Sequence, residues 1–250
     1  MFEAWKKAGW RVLAPEKLGH DPAYPVVSNW RPTRDELIAF IETQAPQAPV
    51  HLIGHSLGGY ASLLVACKRP DLCAAVVLVD SPLVTGWRAH SVQMAKITGL
   101  ASRVTPGRIS TKRRYQWPSA EDAYRHFAGK SAFARWDSRV LRDYISAGMV
   151  ADEGAGVRLA FARETETRFY NTLPHHLGPL LKRHPPQCPV AFVGGTQSAE
   201  VRQAGMAATR AVTRGHVEWL EGTHLFPMEQ PELTAAAVLR ALQPTGRSPR

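Results

Sequence analysis

Five consecutive residues, Gly54-His55-Ser56-Leu57-Gly58, have the types and spacing of a nucleophilic site. A serine hydroxyl is a weak nucleophile unless a base can take its proton. It must also stand clear of its own backbone. A G-x-S-x-G run between a strand and a helix meets that second condition. The chain turns sharply there and crowds itself, and glycines flanking the serine relieve the crowding. The hydroxyl is then held above the strand end at a helix N-terminus. Gly59 adds room behind the turn. Given a base, such a serine performs acyl transfer.

The motif carries weight only if a strand precedes it and a helix follows. Both are legible. Val50–Gly54 is a short apolar strand, and Leu57–Lys68 is a helix of small and apolar residues. Around them Phe2–Ala8 reads as the tail of an amphipathic helix stopped by Gly9. Trp10–Pro15 reads as a strand, Leu18–Thr33 as a loop, and Arg34–Gln44 as a helix with Leu37, Phe40 and Ile41 on one face. Ala74–Val79 lacks polar alternation, as a strand buried on both faces must. The rhythm resumes with strand Val190–Val193, helix Ala199–Thr213, strand Val217–Leu220 and helix Pro231–Leu242; Gln243–Arg250 reads as a frayed tail. Alternating strands and helices predict an α/β fold, a mostly parallel sheet flanked by helices.

Between Pro82 and Pro186 the strand rhythm stops. The block is helical and aromatic in pattern, with Trp87, Tyr115, Trp117, Trp136, Phe161 and Phe169 among its rings and a turn at Thr105–Gly107. It reads as an inserted cap at the carboxyl end of a strand, where such sheets bind ligands. The expected division is a core of residues 1–81 and 187–250, with residues 82–186 as a helical cap.

Four local features together resemble the α/β-hydrolase family. Leu18-Gly19-His20-Asp21 is similar to the loop after its fourth strand, Gly54–Gly58 to its nucleophile elbow, and Val76–Asp80 to its next strand with a terminal acid. Gly222-Thr223-His224, followed by Glu229 and Pro231, is similar to the loop that supplies its histidine. The resemblance covers Trp10 to about Leu242 and implies a serine hydrolase in which Ser56 attacks and His224 is the general base. His224 follows a strand, lies in a short loop and precedes the last helix. His55 reads as a packing or hydrogen-bonding residue. The pair His175 and His176 points only weakly to a metal.

The third member is open. The family most often carries its acid after the strand that here is Val190–Val193, and that alignment puts Ser198 where an aspartate is expected. A serine cannot oppose an imidazolium with charge. Asp80, at the end of its strand, is the first candidate. Glu200, two residues past the usual position, is the second; having no acid is the third. The resemblance also implies an oxyanion site. The Leu57 N–H, following the nucleophile, supplies one donor, and no candidate supplies the other. Strands that precede the first helix in the family have no counterpart here. The expectation is a start downstream of the natural one, or else a shortened protein that has lost activity. Without the intervening strand, Trp10–Pro15 and Val50–Gly54 must pair directly or leave an open edge.

Composition bounds the rest. With 44% hydrophobic and 21% charged residues over 250, the chain is globular and not disordered, collagenous or coiled coil. The longest apolar run, Leu72–Val79, falls far short of the ~20 residues that span a bilayer. Cys67, Cys73 and Cys188 fit no metal or redox spacing and read as reduced core thiols of a cytoplasmic protein. Net charge is +10, and the block from Pro82 to Pro186 holds most of the excess, with 17 basic and 8 acidic residues. That basic face could favour an anionic group on a substrate. Lys112-Arg113-Arg114-Tyr115-Gln116-Trp117 mixes basic and aromatic residues, but no nucleic-acid module surrounds it. The expected partner is therefore a small molecule with an apolar acyl or aryl part, with no nucleic acid, no metal and no organic cofactor. The leading reading is hydrolysis of a small ester or related acyl bond. An inactive member that binds a small apolar ligand is the alternative; a basic module for anionic surfaces is a weaker third.

Overall fold

The computed structural model describes residues 1–84, 113–154 and 156–243. Trp87, the turn at Thr105–Gly107, Lys112 and all but the first residue of the tail lie outside them. Four parallel strands form the main sheet: β1 (Val50–His55), β2 (Cys73–Val79), β6 (Val190–Gly195) and β7 (Val217–Leu220), in the order β1-β2-β6-β7. His55 pairs with Val79, and Val79 with Val193, so the carboxyl ends of β1 and β2 finish at one level.

The sheet is covered on both sides, which explains the unbroken apolar run in β2. Val76 and Leu78 face one cluster, with Leu37, Ile41 and Leu63 from helices α2 (Arg31–Gln44) and α3 (Leu57–Lys68). Val77 and Val79 face the other, with Trp5 of α1 (Phe2–Lys7), Phe226, and Ala235 and Val238 of the helix Pro231–Ala241. The Trp5 indole N–H donates to the Ala235 carbonyl at 3.1 Å, tying α1 to that helix. Each large apolar side chain fully buried in this way contributes roughly 1.5–3 kcal/mol.

Three expectations need correction. Trp10–Pro15 forms no strand. Trp10, Arg11 and Ala14 are exposed, and the Trp10 ring meets the His51 ring edge-on at 4.9 Å. Among the described residues, β1 is therefore an edge of the sheet. The helix expected over Ala199–Thr213 is two helices, Ala199–Ala204 and Ala207–Thr213; Gly205 between them takes φ 74°, which breaks the helix. The described part of the block read as helical also holds a three-stranded antiparallel sheet, β3 (Gln116–Trp117), β4 (Met149–Ala151) and β5 (Val157–Leu159), with β5 in the middle. Strands of two or three residues are too short to show an alternation.

Much of this block has a core of its own. Trp117, Ala123, Phe127, Leu141, Ile145 and Leu159 are buried together. A separate cluster bridges to the main body: Val26, Trp30 and Leu64 pack with Phe169 and Leu177. No helix among the described residues is long and apolar enough to cross a membrane. The three cysteines are free thiols, and burial pushes Cys67 and Cys73 up to about 12.

Candidate active site

Ser56 is the single residue between β1 and α3, and it holds φ 52°, ψ −119°. That conformation is rare for a residue with a side chain and costs about 1–3 kcal/mol, so its surroundings must enforce it. They do so through the backbone. The Ser56 N–H donates to the Val79 carbonyl at 3.0 Å, continuing the ladder one step beyond β1. The Ser56 carbonyl accepts from the Gly59 N–H at 3.0 Å and from the Ser81 hydroxyl at 2.6 Å. A Cβ on Gly54 would run into the backbone of Gly58 and Gly59, and one on Gly59 into the Ser81 side chain. Gly58 faces open space, so the crowding falls on Gly54 and Gly59 and not on the second glycine of the motif. The Ser56 side chain does not cap α3 and is free for another partner.

That partner is His224. Its Nε2 lies 3.0 Å from Ser56 Oγ, and its Nδ1 lies 2.7 Å from Asp80 Oδ2. A carboxylate only accepts, so Nδ1 carries the proton and Nε2 presents its lone pair to the serine O–H. Asp80 follows β2 directly, is fully buried, and takes φ 43°. Its own N–H donates to the Val193 carbonyl at 2.8 Å. Its Oδ1 accepts from the Gly195 N–H at 2.7 Å, and its Oδ2 also accepts from the Ser198 hydroxyl at 2.6 Å. Buried charge is tolerated only when its lone pairs are satisfied in this manner.

A serine, an imidazole and a buried carboxylate in one hydrogen-bonded line, on a parallel sheet, invite comparison with known proteins. The sequence description of the alpha/beta hydrolase family matches residues 4–237. The chain belongs to the alpha/beta hydrolase family. Within this family it is 35% identical to mouse monoglyceride lipase over 79 residues, which are 29% of this chain and 26% of the mouse protein. A longer match, 27% identical over 222 residues, is to the abhydrolase domain-containing protein AFT2-1 of Alternaria alternata; it spans 80% of this chain and 76% of that one. The stretch shared with the mouse lipase is thus about a quarter of that protein's length. Among solved structures the fold resembles that of E-2-(acetamidomethylene)succinate hydrolase, with TM-score 0.66 and 21% identity, over 92% of this chain and 76% of that one.

The remaining candidates from the sequence sort by geometry. Glu200 is half-exposed; its Oε2 lies 3.8 Å from His224 Nδ1 and 3.4 Å from Ser198 Oγ. Of the two carboxylates, Asp80 is the one within hydrogen-bond distance of the imidazole. Asp80 Oδ2, Glu200 Oε2 and His224 Nδ1 lie within 4.8 Å of one another, the one such set among the described residues. Two oxygen or nitrogen ligands on one small ion stay about 3 Å apart. The 2.7 Å contact between Nδ1 and Oδ2 fits a shared proton better. His175 and His176 have rings 6.3 Å apart and join no such set among the described residues. Leu57 is the first residue of α3, where the amide lacks an intrahelical acceptor and the helix dipole favours negative charge.

His55 takes a hydrogen-bonding place. Its Nε2 donates to the His224 carbonyl at 2.8 Å, and the two rings lie 4.8 Å apart. Burial, and then the neighbouring His224, push its pKa down to about 4, so it stays neutral beside the histidine it holds. Two residues escaped the sequence reading. Ser198 is seen there as a missing acid, whereas it is the hydroxyl that holds Asp80 and also accepts from the Val201 N–H. Glu229 is noticed only as part of a motif. Its carboxylate accepts from the Thr223 hydroxyl at 2.5 Å and the Thr223 N–H at 3.2 Å, next to His224. Neither pairing has a local spacing that could announce it.

Proposed function

We propose that this chain is a serine hydrolase that cleaves a small carboxylic ester or related acyl bond. Ser56 Oγ attacks the carbonyl carbon while His224 Nε2 takes its proton. Asp80 holds the Nδ1–H and stabilises the imidazolium that forms. The Leu57 N–H donates to the developing oxyanion. His224 then returns the proton to the leaving oxygen, and water repeats the sequence on the acyl-enzyme. The observation that carries this reading is the relay itself, 3.0 Å from Ser56 Oγ to Nε2 and 2.7 Å from Nδ1 to Asp80. The strained Ser56 backbone supports it, since strain persists where something over-determines it. The name of the mouse relative, a lipase of monoglycerides, favours an ester over other acyl bonds.

In this reading residues 82–186 are a cap over Ser56. Leu18, Leu57, Phe161 and Leu173 pack against the bridging cluster of Trp30 and Phe169, which supplies an apolar side for an acyl or aryl group. The basic excess of the same block favours an anionic group on the exposed part of the substrate.

The deciding experiment treats the purified protein with a fluorophosphonate probe and maps the adduct by mass spectrometry, alongside turnover of p-nitrophenyl butyrate. An adduct on Ser56, and loss of both signals in Ser56→Ala, is expected. Absence of both from a protein that melts cooperatively would overturn the assignment.

A further inference from the structure

The loop that carries His224 is held from two sides, and one of them comes from the block over the site. Glu229 is the hinge of the arrangement. Its side chain is 5% exposed, and both its oxygens are spent on Thr223, the residue before His224. The Thr223 hydroxyl in turn accepts from the Leu225 N–H at 3.1 Å, closing the loop around the histidine. The second oxygen of Glu229 also meets Arg135 Nη2 at 3.3 Å. Arg135 belongs to the aromatic block, one residue from Trp136, which packs against that block's own core. Its other terminal nitrogen donates to Gln197 Oε1 at 2.7 Å. Gln197 precedes Ser198, the hydroxyl on Asp80, and its N–H donates to the Gly222 carbonyl at 2.8 Å. Two further ties run in parallel: the Asp137 N–H donates to the Met228 carbonyl at 2.9 Å, and Arg139 meets Glu232 at 2.8 Å.

A planar guanidinium bridges two acceptors from two nitrogens at a fixed spacing, whereas an ammonium must reach both from a single nitrogen. The two loops it bridges here are the one that supplies the base and the one that supports the acid. We propose that Glu229 and Arg135 are positioning residues that bracket the His224 loop against the Ser198 loop and couple the register of both to the seating of the segment around Arg135 and Trp136. Neither touches the reacting atoms. The inference rests on the serine-hydrolase reading for its catalytic meaning, though the bracket itself has a readout that needs no catalysis.

The test compares Arg135→Ala, Arg135→Lys, Glu229→Gln and the double variant Arg135→Ala/Glu229→Gln. Thermal melts first establish that each folds. Amide hydrogen exchange then reads the bracket directly. Arg135→Ala is expected to speed exchange at Thr223, Leu225 and Gln197 at least tenfold, with Val77 and Val193 unchanged. With p-nitrophenyl butyrate, kcat is expected to fall ten- to a hundredfold in Arg135→Ala with KM within twofold, and Arg135→Lys to recover less than half of it. The double variant is expected to lose less than the product of the two single losses, because both changes break the shared Arg135–Glu229 link. Unchanged exchange in Arg135→Ala would overturn the bracket, as would losses that multiply in the double variant. A fluorophosphonate that labels no serine in the wild type would instead overturn the hydrolase reading, while the exchange result stood.

Discussion

Replacing Asp80 by asparagine separates the two carboxylates near His224. The side chain keeps its volume, so the fold can accommodate it. Its hydrogen-bond pattern does not survive. The Gly195 N–H needs an acceptor at the Oδ1 position, which directs the amide oxygen there and turns the NH2 toward His224 Nδ1 and the Ser198 hydroxyl. Facing a donor, the imidazole must put its proton on Nε2, and Nε2–H cannot accept from Ser56. The equivalent change in serine proteases of an unrelated fold costs ~10⁴ in turnover, which is about 5.4 kcal/mol of barrier. Glu200→Gln is a different perturbation. At 3.8 Å and half-exposed, its charge is worth about 1 kcal/mol to an imidazolium in a water-like dielectric, or roughly fivefold. The assay is kcat/KM on p-nitrophenyl butyrate at pH 8, with melting curves as a folding control. A loss under a hundredfold in Asp80→Asn, or a larger loss in Glu200→Gln than in Asp80→Asn, would refute the reasoning.

Three other outcomes follow from the same geometry. Gly54→Ala and Gly59→Ala should abolish probe labelling and lower the melting temperature, because each new Cβ meets backbone or the Ser81 side chain, whereas Gly58→Ala should label normally; labelling and melts check this. His55 has a folded pKa of about 4 against a free value near 6.5. Between those pH values the unfolded chain binds more protons, so stability is full above about 6.5 and falls as pH drops toward 4. The loss reaches ~3 kcal/mol, and denaturant melts of wild type minus His55→Gln should show it as a slope confined to that window. Ser198→Ala removes a donor to Asp80 and the cap of the helix Ala199–Ala204. It should cost about 1–2 kcal/mol of stability, seen in melts, with turnover falling about tenfold at most.

The sequence carried a good part of this molecule on its face, for reasons that differ by element. α3 and β7 appear with the bounds that periodicity predicts, because a helix after the elbow and a strand after Gly215 are bounded by strong local signals. Ser56 and His224, the proposed nucleophile and base, are legible as candidates because each follows a strand and precedes a helix. Trp10–Pro15 has strand composition, but pairing is a property of two segments, and those residues find no ladder. Gly205 looks tolerable inside a helix until φ 74° stops it. The choice between Asp80 and Glu200 could not be made by spacing, since the carboxylates lie 120 residues apart in the chain. The link from Arg135 to Glu229 was hidden for the same reason: it joins a turn to the short helix Phe226–Glu229 through side chains with no sequence relation.

In the proposed relay, strand register accounts for Asp80 taking the acid's place while Ser198 holds the usual position. β1 and β2 are neighbours, and His55 stands level with Val79. The residues that follow, Ser56 and Asp80, both extend the ladder by one backbone bond and both take a positive φ, 52° and 43°. Strands lie about 4.8 Å apart, so the Ser56 hydroxyl and the Asp80 carboxylate one strand over stand side by side, with His224 reaching across both from the loop after β7. Ser198 stands three residues beyond the end of β6 at Gly195, and its hydroxyl meets Asp80. A carboxylate anchored by its own backbone in the ladder needs less of its surroundings to stay aimed. The loop position is then released from carrying charge. A hydroxyl there supplies Asp80 Oδ2 with a second donor beside His224 and caps the next helix at the same time.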